Sequence, residues 1–234
     1  MVELKLAKIN EYKAQNSQQN QRRLDDDEPT RMMIEQQKAT IHIMETDFHK
    51  FLIENTADLD QDTILQLLQA HGKIDDCIKY ADAMKQYQKL IVHYINKQDY
   101  KKALKKLNQI ESTETRNYEM TKYMSVMIKK APNETLNALE SEKFRKIDLP
   151  KLMPALRDCP DDARARARIF VQNHCIKQRK SQESSVHNMC FYLYAKSDNS
   201  DELLDYLKKE EINFNSGMPI YFDKTYALNV CRQF

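Results

Sequence analysis

The stretch "KQDYKKALKKL", residues 97–107, holds five lysines and one acid. Its apolar members, Tyr100, Ala103, Leu104 and Leu107, fall at i, i+3, i+4 and i+7. That spacing marks one stripe of an α-helix. Lys101, Lys102, Lys105 and Lys106 fall on the face that the stripe leaves to water. The same layout occurs 26 residues earlier in "HGKIDDCIKYA", residues 71–81. Each copy carries a small-large pair after a bulky residue, Cys77-Ile78 and Ala103-Leu104, and Ala227-Leu228 is a third such pair. Leu203-Leu204 holds the equivalent place in its own segment. A small residue lets a neighbouring helix approach, and the large one fills the groove beside it.

Helix pairs that recur every ~25–40 residues bury their apolar faces only by stacking on neighbours. The expected architecture is therefore all-α: an α-solenoid of stacked antiparallel helix pairs, with about ten or more helices. The expected inter-helix seam comprises Ile78, Ala81, Tyr100, Ala103, Leu104, Leu107, Leu193, Leu204, Leu207, Ala227 and Leu228. Composition agrees. The 234 residues include only two glycines and six prolines, against usual shares of about 7% and 5%. A sandwich or barrel needs many more turn residues. Basic and acidic residues, 37 and 35, nearly cancel to a net charge of +2, so the global balance does not require a polyanion partner.

Along the chain, Val2, Leu6 and Ile9 share a helical face, and residues 14–30 read as a polar, exposed connection. A long helix is expected from about Pro29 to Asn55, with Met33, Gln37, Ile41, Met44, Phe48 and Phe51 near one face. Shorter helices follow; Asp60 or Asp62 caps the first and Gly72 suits its C-terminal turn. Pro150 and Pro154 predict a short, kinked element. Helices are expected from Pro160 to about Gln178, from Val186 to Lys196, from Asn199 to about Lys209, and over 221–233. Asn199 and Glu202 have capping-box spacing, and "EEINFNSGMP", residues 210–219, reads as a loop. No stretch approaches the ~20 apolar residues of a membrane span, and charges at Glu3, Lys5, Lys8 and Glu11 interrupt any signal-peptide core. The chain reads as soluble and cytosolic.

Two segments of the C-terminal third form a recognisable pattern. They are "VHNMCFYLYAKSDNSDELLDYL" (186–207) and "YFDKTYALNVC" (221–231). A His-Asn pair, His187-Asn188, precedes Leu193-Tyr194-Ala195; an acid-rich helix follows with Leu203, Leu204, Tyr206 and Leu207; then come Phe222-Asp223 and Tyr226-Ala227-Leu228 with Cys231. This pattern resembles the vacuolar protein sorting-associated protein 18 family, also called the deep-orange family. Upstream, "QAHGKIDDCIKYADAMKQYQKLIVHYINKQDYKKAL" (69–104) resembles that family's clathrin-heavy-chain-like repeat, and "KLMPAL" (151–156) and "ELKLAKI" (3–9) also match. The resemblance implies a solenoid segment without the family's β-propeller and RING finger. It further implies a place in the class C core of the HOPS and CORVET tethering complexes. The implied partners are other tethering subunits, with indirect association with endosomal, lysosomal and vacuolar membranes.

Three function classes compete. Scaffolding follows from the stacked helices, whose faces offer long surfaces to partners. Aromatic and Met-rich faces could anchor a partner, but helical spacing assigns most tyrosines to the core. The rival is a helical-repeat nucleic-acid binder built on the 97–106 lysines and on Arg164, Arg166, Arg168, Lys177, Arg179 and Lys180. The three arginines alternate by two, so a helix spreads them, and Asp162 with Arg166 has the spacing of an ordinary surface pair. Lys101, Lys102, Lys105 and Lys106 are also the candidates for contact with anionic lipid. Catalysis has no support: His42, His49, His71, His93, His174 and His187 lie in no nucleophile or phosphate-loop motif. Cys77, Cys159, Cys175, Cys190 and Cys231 form no CxxC. Cys159, His174, Cys175, His187 and Cys190 come nearest to a metal set, yet lack paired short spacings. No cofactor is expected.

Overall fold

The computed structural model describes residues 1–21, 28–56, 58–196, 200–215, 217 and 221–233, with their side chains apart from 18–21, 28–31, 200 and 210–214. Two compact units divide it, residues 1–90 and 91–234. In the first, α1 (Val2–Gln21) packs on α2 (Glu28–Glu54), and α3 (Gln61–Ala70) packs on α4 (Ile74–Ala83), which also meets α2. Helix α5 (Tyr87–Asn96) straddles the division. The second unit holds α6 (Tyr100–Gln109), α7 (Thr113–Lys130), α8 (Pro132–Leu139), a 3₁₀ turn (Glu142–Phe144) and α9 (Leu149–Leu156). Then follow α10 (Asp161–Ile169), a π-helical continuation (Phe170–Gln178), α11 (Ser184–Ala195), α12 (Ser200–Asn215) and α13 (Lys224–Gln233). Among the described residues there is no strand.

Packing in the second unit follows the chain. Helix α7 meets α6, α8 and α9; α8 meets α10; α11 meets α9, α10, α12 and α13. Contact with the next helix and the next but one is the pattern of an α-solenoid. Helix α11 is its hub, with Val186, His187 and all of Met189–Tyr194 buried. A helix covered on all sides is an interior helix.

The 26-residue repeat is two turns of a smaller one. Helices α3, α4, α5 and α6 are each ten residues long and begin at 61, 74, 87 and 100, a spacing of 13. Between them Gly72, Lys85 and Gln98 take left-handed φ values of 66°, 54° and 59°. The same bonds close each turn: Lys73, Gln86 and Asp99 donate their N–H to the carbonyls of Leu68, Ala81 and Tyr94 at 2.9, 2.8 and 2.9 Å. Gly72, Lys85 and Gln98 donate to Gln69, Asp82 and Ile95 at 2.9, 3.0 and 2.9 Å. These are Schellman turns. Asp60 and Asp99 cap α3 and α6 through the N–H groups of Thr63 and Lys102.

Several boundaries differ from expectation. Residues 14–21 continue α1 instead of opening a connection, and Asn16 is buried. Residues 22–27 lie outside the described residues. On α2 the buried positions are Phe48 and Leu52, while Met33 is exposed. Helix α12 runs on to Asn215, through most of the expected loop, and Asn199 lies outside the described residues. The helix expected to reach Gln178 does so, but from Phe170 with wider turns; Arg179 N–H donates to the carbonyl of His174, five residues back, at 3.1 Å. That widening accompanies burial of Phe170, Val171 and Cys175. Burial pushes the Cys175 thiol up to about 12 and the Cys159 thiol up to about 11, so neither supplies a thiolate near neutrality.

One charged node ties the first unit together. Glu45 on α2 accepts from Lys13 of α1 at 2.6 Å and from Lys73, just before α4, at 3.1 Å. Burial alone would raise the Glu45 carboxyl, but the bonds from Lys13 and Lys73 outweigh it and hold its pKa below the ordinary value.

Two outcomes follow. A Cβ at positive φ costs about 1–2 kcal/mol, and glycine returns part of that gain as unfolded-state entropy. Gln98→Gly is therefore expected to raise stability by about 0.5–1 kcal/mol, read as a higher urea midpoint at unchanged slope. A lower midpoint contradicts the left-handed turn. For Glu45, the depressed carboxylate adds stability above its unfolded pKa, about 4.3, and that stability is lost as pH falls through the folded value. The stability difference between wild type and Glu45→Gln, of order 1 kcal/mol at pH 7, is expected to start shrinking near pH 4 and to vanish once the pH lies well below the folded value. A gap that does not shrink as pH falls below about 4 rules the node out.

Candidate assembly surface

Helix α6 lies against α7 and α8. Ala103 and Leu107 are fully covered, Leu104 is buried and Tyr100 half-buried. On the wet side, Lys101 pairs with Glu134 of α8 at 3.4 Å. Lys102 pairs with Asp99 at 2.8 Å and stands 5.7 Å from the Tyr94 ring centroid. Lys105 is exposed. Lys106 corrects the sequence reading, because only 9% of it is accessible. It lies about 60° from Ala103 around the helix, at the border of the stripe, where a lysine stem can lie along apolar surface. An anionic surface could therefore meet Lys101, Lys102 and Lys105 but not Lys106.

Elsewhere the small member of each pair is the constant part of the seam. Cys77, Ala81 and Ala227 are buried, as is Leu193, while Ile78 and Leu207 are half-buried. Leu204 and Leu228 do not belong to it, being 50% and 61% exposed. Helix α12 turns Tyr206 inward, and Leu204, two residues earlier, points some 200° away. In α13 the buried pair is Ala227 and Val230, which carries Leu228 off the covered side.

The arginine run is consumed by packing. Arg166 forks onto both carboxylate oxygens of Glu140 at 2.8 and 2.6 Å and onto Asn137 at 3.0 Å, joining α10 to α8. It does not use Asp162. Arg164 pairs with Asp161 and reaches the Lys196 carbonyl at 3.3 Å; Arg168 pairs with Glu202 and stacks 4.8 Å from the Tyr194 ring. Arg179 donates to the Ile147 carbonyl at 2.8 Å.

Sequence reasoning missed Arg116. This buried side chain donates to the carbonyls of Ile110 and Lys143 at 2.7 and 2.8 Å and to the Thr113 hydroxyl at 3.2 Å. It ties the α6–α7 turn to the 3₁₀ turn. No local spacing announces such a partner, since Lys143 is 27 residues away. Among the described residues, no three His, Cys, Asp or Glu side chains stand close enough to share a metal ion, and no helix is long and apolar enough to cross a membrane.

The C-terminal pattern is an interior lock. The Nε2 of His187 meets the Ser181 carbonyl at 2.9 Å and its ring packs 5.0 Å from Tyr221. Asn188 Oδ1 accepts the Asp223 N–H at 2.8 Å, and Asp223 in turn caps α13 through the N–H groups of Thr225 and Tyr226. Tyr194 stacks on Tyr206 at 4.8 Å and Phe191 on Phe222 at 5.6 Å. Helices α11, α12 and α13 are thus fixed to one another by the residues that make up the pattern.

A family model described as "VPS18, alpha-solenoid domain, second half" matches residues 87–234. The chain belongs to the VPS18 family. It is 23% identical over 203 residues to Vacuolar sorting protein 18 of Arabidopsis thaliana, covering 85% of this chain and 20% of that protein. It is 26% identical over 177 residues to the Vacuolar protein sorting-associated protein 18 homolog of Danio rerio, covering 74% and 17%. To the Vacuolar membrane protein pep3 of Schizosaccharomyces pombe it is 22% identical over 240 aligned positions, covering 100% and 24%. The chain spans about a fifth of the length of these relatives. No solved structure matches significantly.

A charge at a buried seam position of this VPS18 solenoid is costly, whereas one on its wet face is not. Leu104→Asp is expected to cost about 3 kcal/mol or more, and Lys102→Glu less than about 0.5 kcal/mol. Lys106→Glu falls between them. Thermal melting followed by circular dichroism ranks the three; equal effects from Leu104→Asp and Lys102→Glu contradict this orientation of α6.

Proposed function

We propose that this chain is a non-catalytic scaffold segment of a membrane-tethering complex that acts in endosome-to-lysosome or vacuole trafficking and fusion, where it binds other tethering subunits. One observation carries the reading: the family match lies over the part of the chain whose helices stack on the next and the next but one. Such a stack is long for its mass and can hold subunits apart while offering them its faces. The relatives carry vacuolar sorting in their names, which supports action at endosomal and vacuolar membranes as a peripheral component. The nucleic-acid alternative loses its best residues, because Arg164, Arg166 and Arg168 are held in internal ion pairs. A basic groove kept for phosphates leaves its guanidinium groups facing outward.

Affinity capture of the full-length protein, followed by mass spectrometry, tests the proposal when it is repeated with residues 87–234, the family-matched part, deleted. The expected result is recovery of other tethering subunits by the intact protein and loss of some of them after the deletion. Retention of the full set overturns the scaffold role. Recovery of RNA-bound proteins that vanish on nuclease treatment favours the alternative.

A further inference from the structure

The outer face of α7 forms one wall of a groove. Glu114, Asn117, Tyr118, Thr121 and Lys122 on α7 face Lys146, Asp148 and Lys151 across it. The volume is about 610 Å³, within the ~300–1,000 Å³ usual for ligand clefts. From Glu114 to Lys122 the helix advances about 12 Å, the length of about three or four residues of extended chain.

Three features of the lining point to a peptide. Tyr118 is 65% exposed, while the other tyrosines of the chain are buried or half-buried. It is the one tyrosine free to act as an anchor, and exposed aromatic anchors carry much of the energy at protein interfaces. The Oδ1 of Asn117 is shielded from water and has no hydrogen-bond partner among the described residues. Rotation of that amide offers the groove an acceptor and two donors, the complement of a peptide backbone. The third feature is charge. Lys146 makes no ion pair among the described residues, Lys151 has only an exposed pair with Asp148 at 3.1 Å, and Lys122 stands 3.9 Å from Glu119. Exposed pairs contribute little and exchange readily, so the Lys146 and Lys151 ammonium groups are available to a ligand, whereas Lys122 serves the buried Glu119 carboxylate and lies 5.0 Å from the Tyr123 ring centroid.

We propose that this groove docks a short acidic segment of a partner protein, with an apolar side chain laid on Tyr118 and carboxylates against Lys146 and Lys151. The site does not depend on membership of a tethering complex, and peptide binding and subunit capture fail separately.

The test is fluorescence anisotropy of a labelled Asp-Glu-Phe-Asp-Glu peptide titrated with the full chain. Saturable binding is expected. Tyr118→Ala and Lys146→Glu, both exposed and checked for unchanged circular dichroism, each weaken it about fivefold to tenfold. Lys105→Glu, on α6 and outside the groove, leaves it unchanged. A peptide with lysines in place of the acids binds Lys146→Glu better than wild type. Three results overturn the proposal: no saturable binding, equal loss from Lys105→Glu, or displacement of the peptide by phosphatidylserine vesicles whose own binding Tyr118→Ala leaves intact. The last identifies a lipid surface as the occupant.

Discussion

A ten-residue helix cannot stand alone. Isolated helices shorter than ~12–15 residues are marginal in water, and α3, α4, α5 and α6 each fall below that length. Each must therefore lay its apolar stripe on a neighbour, and the chain must reverse quickly enough to provide one. For α3 and α4, which pack on each other, the 13-residue period answers both needs: ten residues of helix, then three that turn through a left-handed position and return the last carbonyls to backbone donors. Only Gly72 takes that position without a Cβ; Lys85 and Gln98 accept the local strain because the turn is fixed by the helices on either side. The wet lysines of α6 follow from the same constraint. Once one face is committed to stacking, the other has only water to meet.

Stacked short helices have many ends, and every end leaves carbonyls without partners. Arginines solve much of this problem in the second unit. Arg116, Arg164 and Arg179 each donate to backbone carbonyls of other segments, at Ile110 and Lys143, at Lys196 and at Ile147. A planar guanidinium with five donors can serve two chain ends at once, which a lysine cannot do with the same geometry. Burial lowers the pKa of Arg179, a cost that its bond to the Ile147 carbonyl helps to offset. What looks in the sequence like a basic run for a polyanion is, in the fold, a set of clamps on helix termini.

Legibility in the sequence tracks how local each feature is. The α6 stripe was readable because four apolar residues at helical spacing are separated by lysines, and the repeat at 26 was readable because α4 and α6 share that layout. The true period of 13 was hidden: a turn at Lys85 or Gln98 carries no glycine to announce it. Residues 14–21 looked like a connection because they are polar on every side, yet α1 runs through them. Leu228 was misplaced because a large apolar residue beside a small one sits 100° away from it, and Leu204 because α12 turns Tyr206 inward, some 200° away; only the packing partner decides which residue is covered. Helix α11 is buried all round, so its periodicity carried little phase information. Arg116 and the groove beside α7 depend on the 3₁₀ turn and α9, tens of residues away, and no window of sequence contains them.

Most of the residues by which the chain resembles its family are packing residues, with Leu204, Leu228 and Cys231 the exposed exceptions. His187, Asn188, Tyr194, Tyr206, Phe222 and Asp223 hold α11, α12 and α13 to one another through ring contacts, a backbone bond and a cap. A pattern of that kind identifies a fold, since it records which helix ends must meet. Such a pattern does not touch the outward stripes, among them the α7 face, where Tyr118 stands in water beside both lysines and carboxylates. Because those positions carry almost none of the folding energy, they are free to change with the partner while the stack beneath them stays the same.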